Sequence, residues 1–257
     1  MSRELFTIEA NDLPSKMYTL VLQEPTFEDR RIAMKRMPAN PDSNVGYTVE
    51  HLLLSMSIYS VNGERVDDHP KDPIYKVRYL PPEDTQFLIS VFLEAFTLND
   101  ELGDEARRLS EQFQTRPGTV CRIDQDLMPT QKFSVSFRVP TTGDQIDIDR
   151  DYPGAGCGYS SEEMLFAHSI SHIDDKIVDE KPKDLISFLN DWSHVDAQFA
   201  MAVFLNLCFL NKEKQNNAKM LGKGLRKNMQ KEDPSKSMST ATRTTRGKAS
   251  PTIDLES

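Results

Sequence analysis

Residues 181–211 read KPKDLISFLNDWSHVDAQFAMAVFLNLCFLN, and residues 69–99 read HPKDPIYKVRYLPPEDTQFLISVFLEAFTLN. A Pro-Lys-Asp tripeptide, an Asp-x-x-Phe step and a Val-Phe-Leu step recur at one spacing, so the chain contains a copy of itself. A shift of 112 residues lays 47–99 on 159–211 without a gap, matching Leu53 with Leu165, Ile58 with Ile170, Asp84 with Asp196 and Phe87 with Phe199. Upstream the shift becomes 115, because the second copy lacks three residues of the loop ANPDSN. There Pro14, Pro25, Thr26 and Asp29 fall on Pro129, Pro140, Thr141 and Asp144. A length change confined to a Pro- and Asn-rich loop is what a duplicated fold tolerates.

The pattern within one copy predicts an α+β unit of about 90 residues. MYTLVLQEP and FSVSFRVP alternate, placing Tyr18, Leu20 and Leu22, or Phe133, Val135, Phe137 and Val139, on one face of a strand. RRIAMKRM and QIDIDRDY read as weaker partner strands after a Thr/Gly/Asp turn, which makes a hairpin the expected start of each copy. YTVEHLLLSMSI and YSSEEMLFAHSI read as helices, with Thr48 as an N-cap and Ser160 with Glu163 as a capping box. Asn62-Gly63 is a type I′ hairpin signal, replaced by Asp174-Asp175 in the second copy. Two helices close each copy: a short one, then a longer one from about Pro82 or His194.

The two long helices differ. Phe87, Leu88, Val91, Phe92, Ala95 and Phe96 form one stripe, whereas residues 199–210 are apolar except for Asn206. The second helix must therefore be covered on more than one side, by the other copy or by another protein. Its outer face around Ala202, Leu205 and Phe209 is the predicted contact surface. The expected organisation is a first repeat at 1–99, a solvated connector helix and linker at 100–126, a second repeat at 127–211, and a basic, disordered tail at 212–257.

Charge divides along the same boundary. Residues 1–211 hold 20 Lys and Arg against 35 Asp and Glu, whereas 212–257 hold 11 against 5. In the tail, Lys219, Lys223, Arg226 and Lys227 are spaced around Met220, Leu221 and Leu225 as a short basic amphipathic stretch. The acidic body argues against nucleic-acid binding by the whole chain, while the tail admits an acidic protein or nucleic acid. No run of apolar residues is long enough for a membrane span, and MSRELFTIEAND lacks the pattern of a signal peptide, so a soluble intracellular protein is expected.

No catalytic constellation, metal site or cofactor site can be assembled. Cys121, Cys157 and Cys208 form neither a disulfide framework nor a zinc ribbon. GAGCGY lacks the lysine and hydroxyl of a phosphate loop. His168 and His172 stand four apart but without the glutamate of a zinc helix, and only with Asp174 would they suggest a metal-dependent enzyme. Asp147, Asp149 and Asp151 alternate as on one strand face, which reads as a solvated acidic edge.

The order of motifs has a relative. Leu13-Pro14-Ser15, Pro25-Thr26 with Asp29, Ile58 with Val61-Asn62-Gly63, and Asp84 with Phe87 recur as Met128-Pro129-Thr130, Pro140-Thr141 with Asp144, Ile170 with Ile173-Asp174, and Asp196 with Phe199. This series resembles the baseplate-hub assembly proteins of T-even-like contractile-tailed bacteriophages. The zinc-ribbon cysteine pairs of some members are absent. The resemblance implies a non-enzymatic virion or assembly component, in the tail baseplate or in host cytoplasm during assembly. Its partners would be other tail and hub proteins, with self-association open. The alternative is a cytosolic adaptor or assembly chaperone whose basic tail captures its partner.

Overall fold

The computed structural model describes residues 3–37, 47–69, 72–114, 116–152, 159–178, 186–209, 216 and 218–223. Copy one runs β1 (Leu5–Ile8), a 3-10 turn, β2 (Leu20–Gln23), α1 (Phe27–Arg36), α2 (Val49–Ser57), β3 (Ile58–Val61), β4 (Glu64–Arg65), α3 (Tyr75–Arg78) and α4 (Pro82–Phe96). After a connector helix, α5 (Asp100–Gln112), copy two runs β5 (Val120–Ile123), a 3-10 turn, β6 (Val135–Arg138), α6 (Thr142–Asp151), α7 (Ser161–Ser169), β7 (Ile170–Ile173), β8 (Lys176–Ile177), a 3-10 turn at Ser187–Leu189 in the place of α3, and α8 (His194–Cys208).

Each copy builds one antiparallel four-stranded sheet, in the orders β1-β2-β3-β4 and β5-β6-β7-β8. Even the register irregularity is duplicated, between Val21 and Leu22 and between Ser136 and Phe137. The alternation predicted for the central strands holds, since Tyr18, Leu20 and Leu22 are buried, as are Phe133, Val135, Phe137 and Val139. The β3–β4 turn has left-handed Asn62 and Gly63 at φ 51° and 79°, and Asp174 and Asp175 adopt the same conformation. Asn62 and Asp174 each accept a backbone N–H from the neighbouring strand, Thr19 at 2.9 Å and Ser134 at 2.9 Å. Carboxylate and amide therefore serve one role, while Asp175 takes the left-handed position of Gly63, a conformation that Asp tolerates.

Two expectations are overturned. RRIAMKRM and QIDIDRDY are helical, within α1 and α6, and the hairpin partner of β2 is β1, upstream of it. The Thr-x-x-Asp step taken for a turn is a capping box: Thr26 N donates to Asp29 at 2.8 Å and Thr141 N to Asp144 at 2.7 Å. Asp147 and Asp151, four apart, consequently share a helical face that Asp149 does not, and Arg150 pairs with both. The connector is not solvated all round either, because Ala106, Leu109 and Ser110 are buried. The segment after it supplies β5, which lies inside the predicted 100–126 linker yet pairs with β6.

Residues 1–209 form one compact unit with two cores, and residues 210–257 are separate from it. In the second unit, Asn216 and residues 218–223 are helical and exposed. The rest of the predicted disordered tail lies outside the described residues, as do Cys157 and the GAGCGY loop.

Candidate partner-binding surface

The motifs that carry the duplication turn out to hold each copy together. In copy one the Leu-Pro-Ser turn passes through left-handed Lys16, at φ 56°, and presents Ser15 to Asp84. The Asp84 carboxylate accepts Ser15 N at 2.9 Å, Ser15 Oγ at 2.5 Å and Tyr18 OH at 2.5 Å. Copy two repeats the arrangement with Gln131 at φ 54°, Thr130 N to Asp196 at 3.0 Å, and a short bond from Thr130 Oγ1. Both aspartates are fully buried in the first turn of their helix. Phe133 stands where Tyr18 stands, so Asp196 lacks the phenol donor.

The two aspartates shift in opposite directions. Burial pushes the Asp84 carboxyl up, but the bonds from Ser15 and Tyr18 more than offset it and hold the group below the usual carboxylate range. For Asp196, burial prevails over the bonds from Thr130, with Glu24 adding to the upward shift and Lys132 opposing it. The Tyr18 hydroxyl is pushed up, by burial and then by Asp84.

The copies meet along a joint made of different surfaces. The turn leading into α1 pairs with the turn leading into α8: Phe27 N donates to Trp192 O at 3.0 Å, His194 N to Pro25 O at 3.0 Å, and Thr26 bridges to Ser193. Phe27 itself belongs to the core of copy two and stacks on Tyr159 at 6.4 Å between ring centroids. Lys132 bonds buried Glu24 at 2.6 Å, and Arg30 bonds buried Glu163 at 2.6 Å. Burial pushes the Lys132 ammonium down, yet Glu24 and Glu4 more than offset it. Buried pairs of this kind fix orientation more than they add stability. His194 is buried at the joint, its Nδ1 has no hydrogen-bond partner among the described residues, and burial with the nearby Arg30 pushes its pKa down to about 3.

The connector completes the joint. Helix α5 packs along α8, and Leu98 N at its start donates to Gln198 Oε1 at 2.8 Å. Helix α5 thus covers part of α8 inside the chain, while Ala202, Leu205 and Phe209, on the predicted contact surface, are half-buried. Leu205 is half-buried against the copy-two core, and Phe209 packs edge-on to Phe204 at 6.5 Å. Phe209 also lines a cleft of about 250 Å³ with Pro140, Thr141, Leu165 and Leu207. Lys219 and Lys223 are exposed on the tail helix, whereas Arg226 and Lys227 lie outside the described residues.

The surface that sequence reasoning missed is the copy-one counterpart of this α8 face. On α4, Glu83, Gln86, Ser90, Leu93 and Glu94 are all exposed, and beside it Phe6 is 39% exposed where its counterpart Cys121 is 2%. The signal was present in Gln86 and Leu93, which match Gln198 and Leu205. Elsewhere, α7 ends at Ser169, so His168 and His172 share no helical face, and His168 faces Asp144 at 3.7 Å. The Cys208 thiol is pushed up to about 12, by burial and then by Cys121. Among the described residues no helix is long and apolar enough to cross a membrane. No family model, curated protein or solved structure matches the chain.

Proposed function

We propose that the chain is a non-enzymatic structural or assembly protein of a contractile phage tail, binding other baseplate-hub components in the virion or in host cytoplasm. The motif series of the two copies supports the family. The observation that carries an assembly role is the unequal finish of the copies: the long helix that α5 packs against in copy two is left open in copy one, with Ser90 and Leu93 exposed on it. A patch of this kind beside charged residues is what a docking surface requires. The test is to express tagged full-length protein alongside the tail genes and identify what copurifies with it. Other hub or tail proteins should be recovered. Recovery of nucleic acid alone, released by salt, would favour the adaptor reading and overturn the hub one.

A further inference from the structure

The joint between the copies is heterologous, since a surface of copy one meets a different surface of copy two. Such a joint does not consume itself. Copy two keeps an unused version of the first surface, at 140–142, and copy one keeps an unused version of the second, on α4. We propose that the chain self-associates head to tail, the copy-two end of one molecule docking on the α4 face of copy one in the next.

The unused surfaces keep the positions of their used counterparts with lighter contacts, and the Phe27 anchor is absent. Thr141 and Thr142 are exposed where Thr26 and Phe27 are buried. Gln86 is exposed where Gln198 receives the Leu98 N–H, and Ser90 is exposed where Ala202 is half-buried. Where the Lys132–Glu24 pair stands, the unused surfaces offer only Met17, 71% exposed, because Val139, at the position of Glu24, is buried in the core of its own copy. The Arg30–Glu163 pair is replaced by Gln145 and His51, which remain polar. One bond has no equivalent, because Pro82 stands where His194 donates its N–H. The external joint is therefore weaker than the internal one, which also benefits from being intramolecular.

The tail supplies the missing connector. Extending the shift of 112 residues past the second copy lays Ala218, Leu221 and Gly222 on Ala106, Leu109 and Ser110, the three residues that α5 buries. Those tail residues are helical, and Leu221 is 67% exposed. The solvent side of α5 carries Asp104, Glu105 and Glu111 together with Arg107 and Arg108, whereas the exposed charges of the described tail helix are Lys219, which falls on Arg107, and Lys223, which falls on Glu111. The tail helix is thus a more basic counterpart of α5, and α4 presents Glu83 and Glu94. An acidic receiving face and a basic incoming helix attract over a Debye length and are screened by salt.

The inference does not depend on the hub reading and is tested on pure full-length protein by sedimentation velocity. Wild-type mass should rise with concentration and fall toward one chain as salt is added. Leu93→Lys on the receiving face and Leu221→Glu on the incoming helix should each give monomers alone, and a mixture of the two should give dimers and nothing larger, since each retains one good surface. Ser90→Arg, at an exposed position, provides a second receiving-face variant should Leu93→Lys lower the melting temperature. A wild-type chain that stays monomeric at the highest attainable concentration would overturn the proposal. So would variants that associate as the wild type does, or a mixture that fails to pair.

Discussion

Helices α4 and α8 have the same length, the same position in their copies and the same buried aspartate, yet α4 buries little beyond Leu88, Phe92 and Phe96 while α8 buries nine residues. The difference lies in what surrounds them. Helix α8 has α7 and the sheet on one side, as α4 has its own copy, but it also receives α5 and the α1 end of copy one. Position by position, Glu83 becomes Val195, Ser90 becomes Ala202, and Ala95 becomes Leu207. After duplication one fold serves two environments, and composition follows the environment. The two copies are therefore each other's controls.

The largest contrast is expected at Phe27 and Thr142, which occupy one position at the start of α1 and α6. Phe27 fills the core of the other copy, whereas Thr142 is exposed. Phe27→Ala should cost about 3–5 kcal/mol in urea unfolding, as for other buried aromatics. Thr142→Ala should stay within about 0.5 kcal/mol. Equal losses would mean that the joint is not part of the cooperative core.

A smaller effect is expected at Lys132 and its counterpart Met17. Lys132→Met leaves Glu24 buried, with its principal partner gone, and should cost about 3 kcal/mol or somewhat less, given the partial exposure of Lys132. Met17→Lys adds a charge at an exposed site and should be nearly neutral. Restoring stability in Lys132→Met by Glu24→Val, the residue copy two uses at that position, would sharpen the comparison.

These contrasts also explain what could be read from the chain. The repeat, the alternating central strands, the Asn62-Gly63 turn and the helix starts at Pro82 and His194 were legible because each rests on local chemistry or on self-comparison. Residues 27–36 were misread because Thr26 and Asp29 suit a turn as well as a cap, and only Asp29 bonding back to Thr26 N distinguishes them. The apolar surround of α8 was legible, but its cover was not. The connector reads as charged, and its buried stripe is only Ala106, Leu109 and Ser110. Outer strands β1 and β5 carry weak alternation and gain their place by pairing with β2 and β6.

The joint should also respond to pH through His194, for which copy one has a proline. Its folded pKa of about 3 lies below the ordinary value of 6.5, so the stabilisation from keeping it neutral is complete above about pH 6.5 and declines as pH falls toward about 3. The slope is roughly 1.4 kcal/mol per pH unit, or about 2 kcal/mol at about pH 5. His194→Leu should flatten that part of the stability profile. A variant profile parallel to the wild type would place the titration elsewhere.

The smallest effect distinguishes the copies by sign. Asp84, held low by Ser15 and Tyr18, contributes stability above its unfolded pKa of about 3.9 and loses it as pH falls through its lower folded value. Asp196, pushed up by burial, does the reverse: the folded state binds the proton more tightly, so its contribution is greatest at low pH and is lost as pH rises through the folded value. Asparagine at either site removes the titration while keeping the shape. Relative to wild type, the deficit of Asp84→Asn should shrink as the solution is acidified, and that of Asp196→Asn should grow. Melting temperatures of the three proteins between about pH 3 and pH 7 would read this directly. The cause can be tested in the same series, because Tyr18→Phe gives copy one the aromatic that copy two has, and should move the Asp84 profile toward that of Asp196. If Tyr18→Phe leaves the profile unchanged, the phenol is not what separates the two aspartates, and the difference must come from the charges of the joint around Asp196.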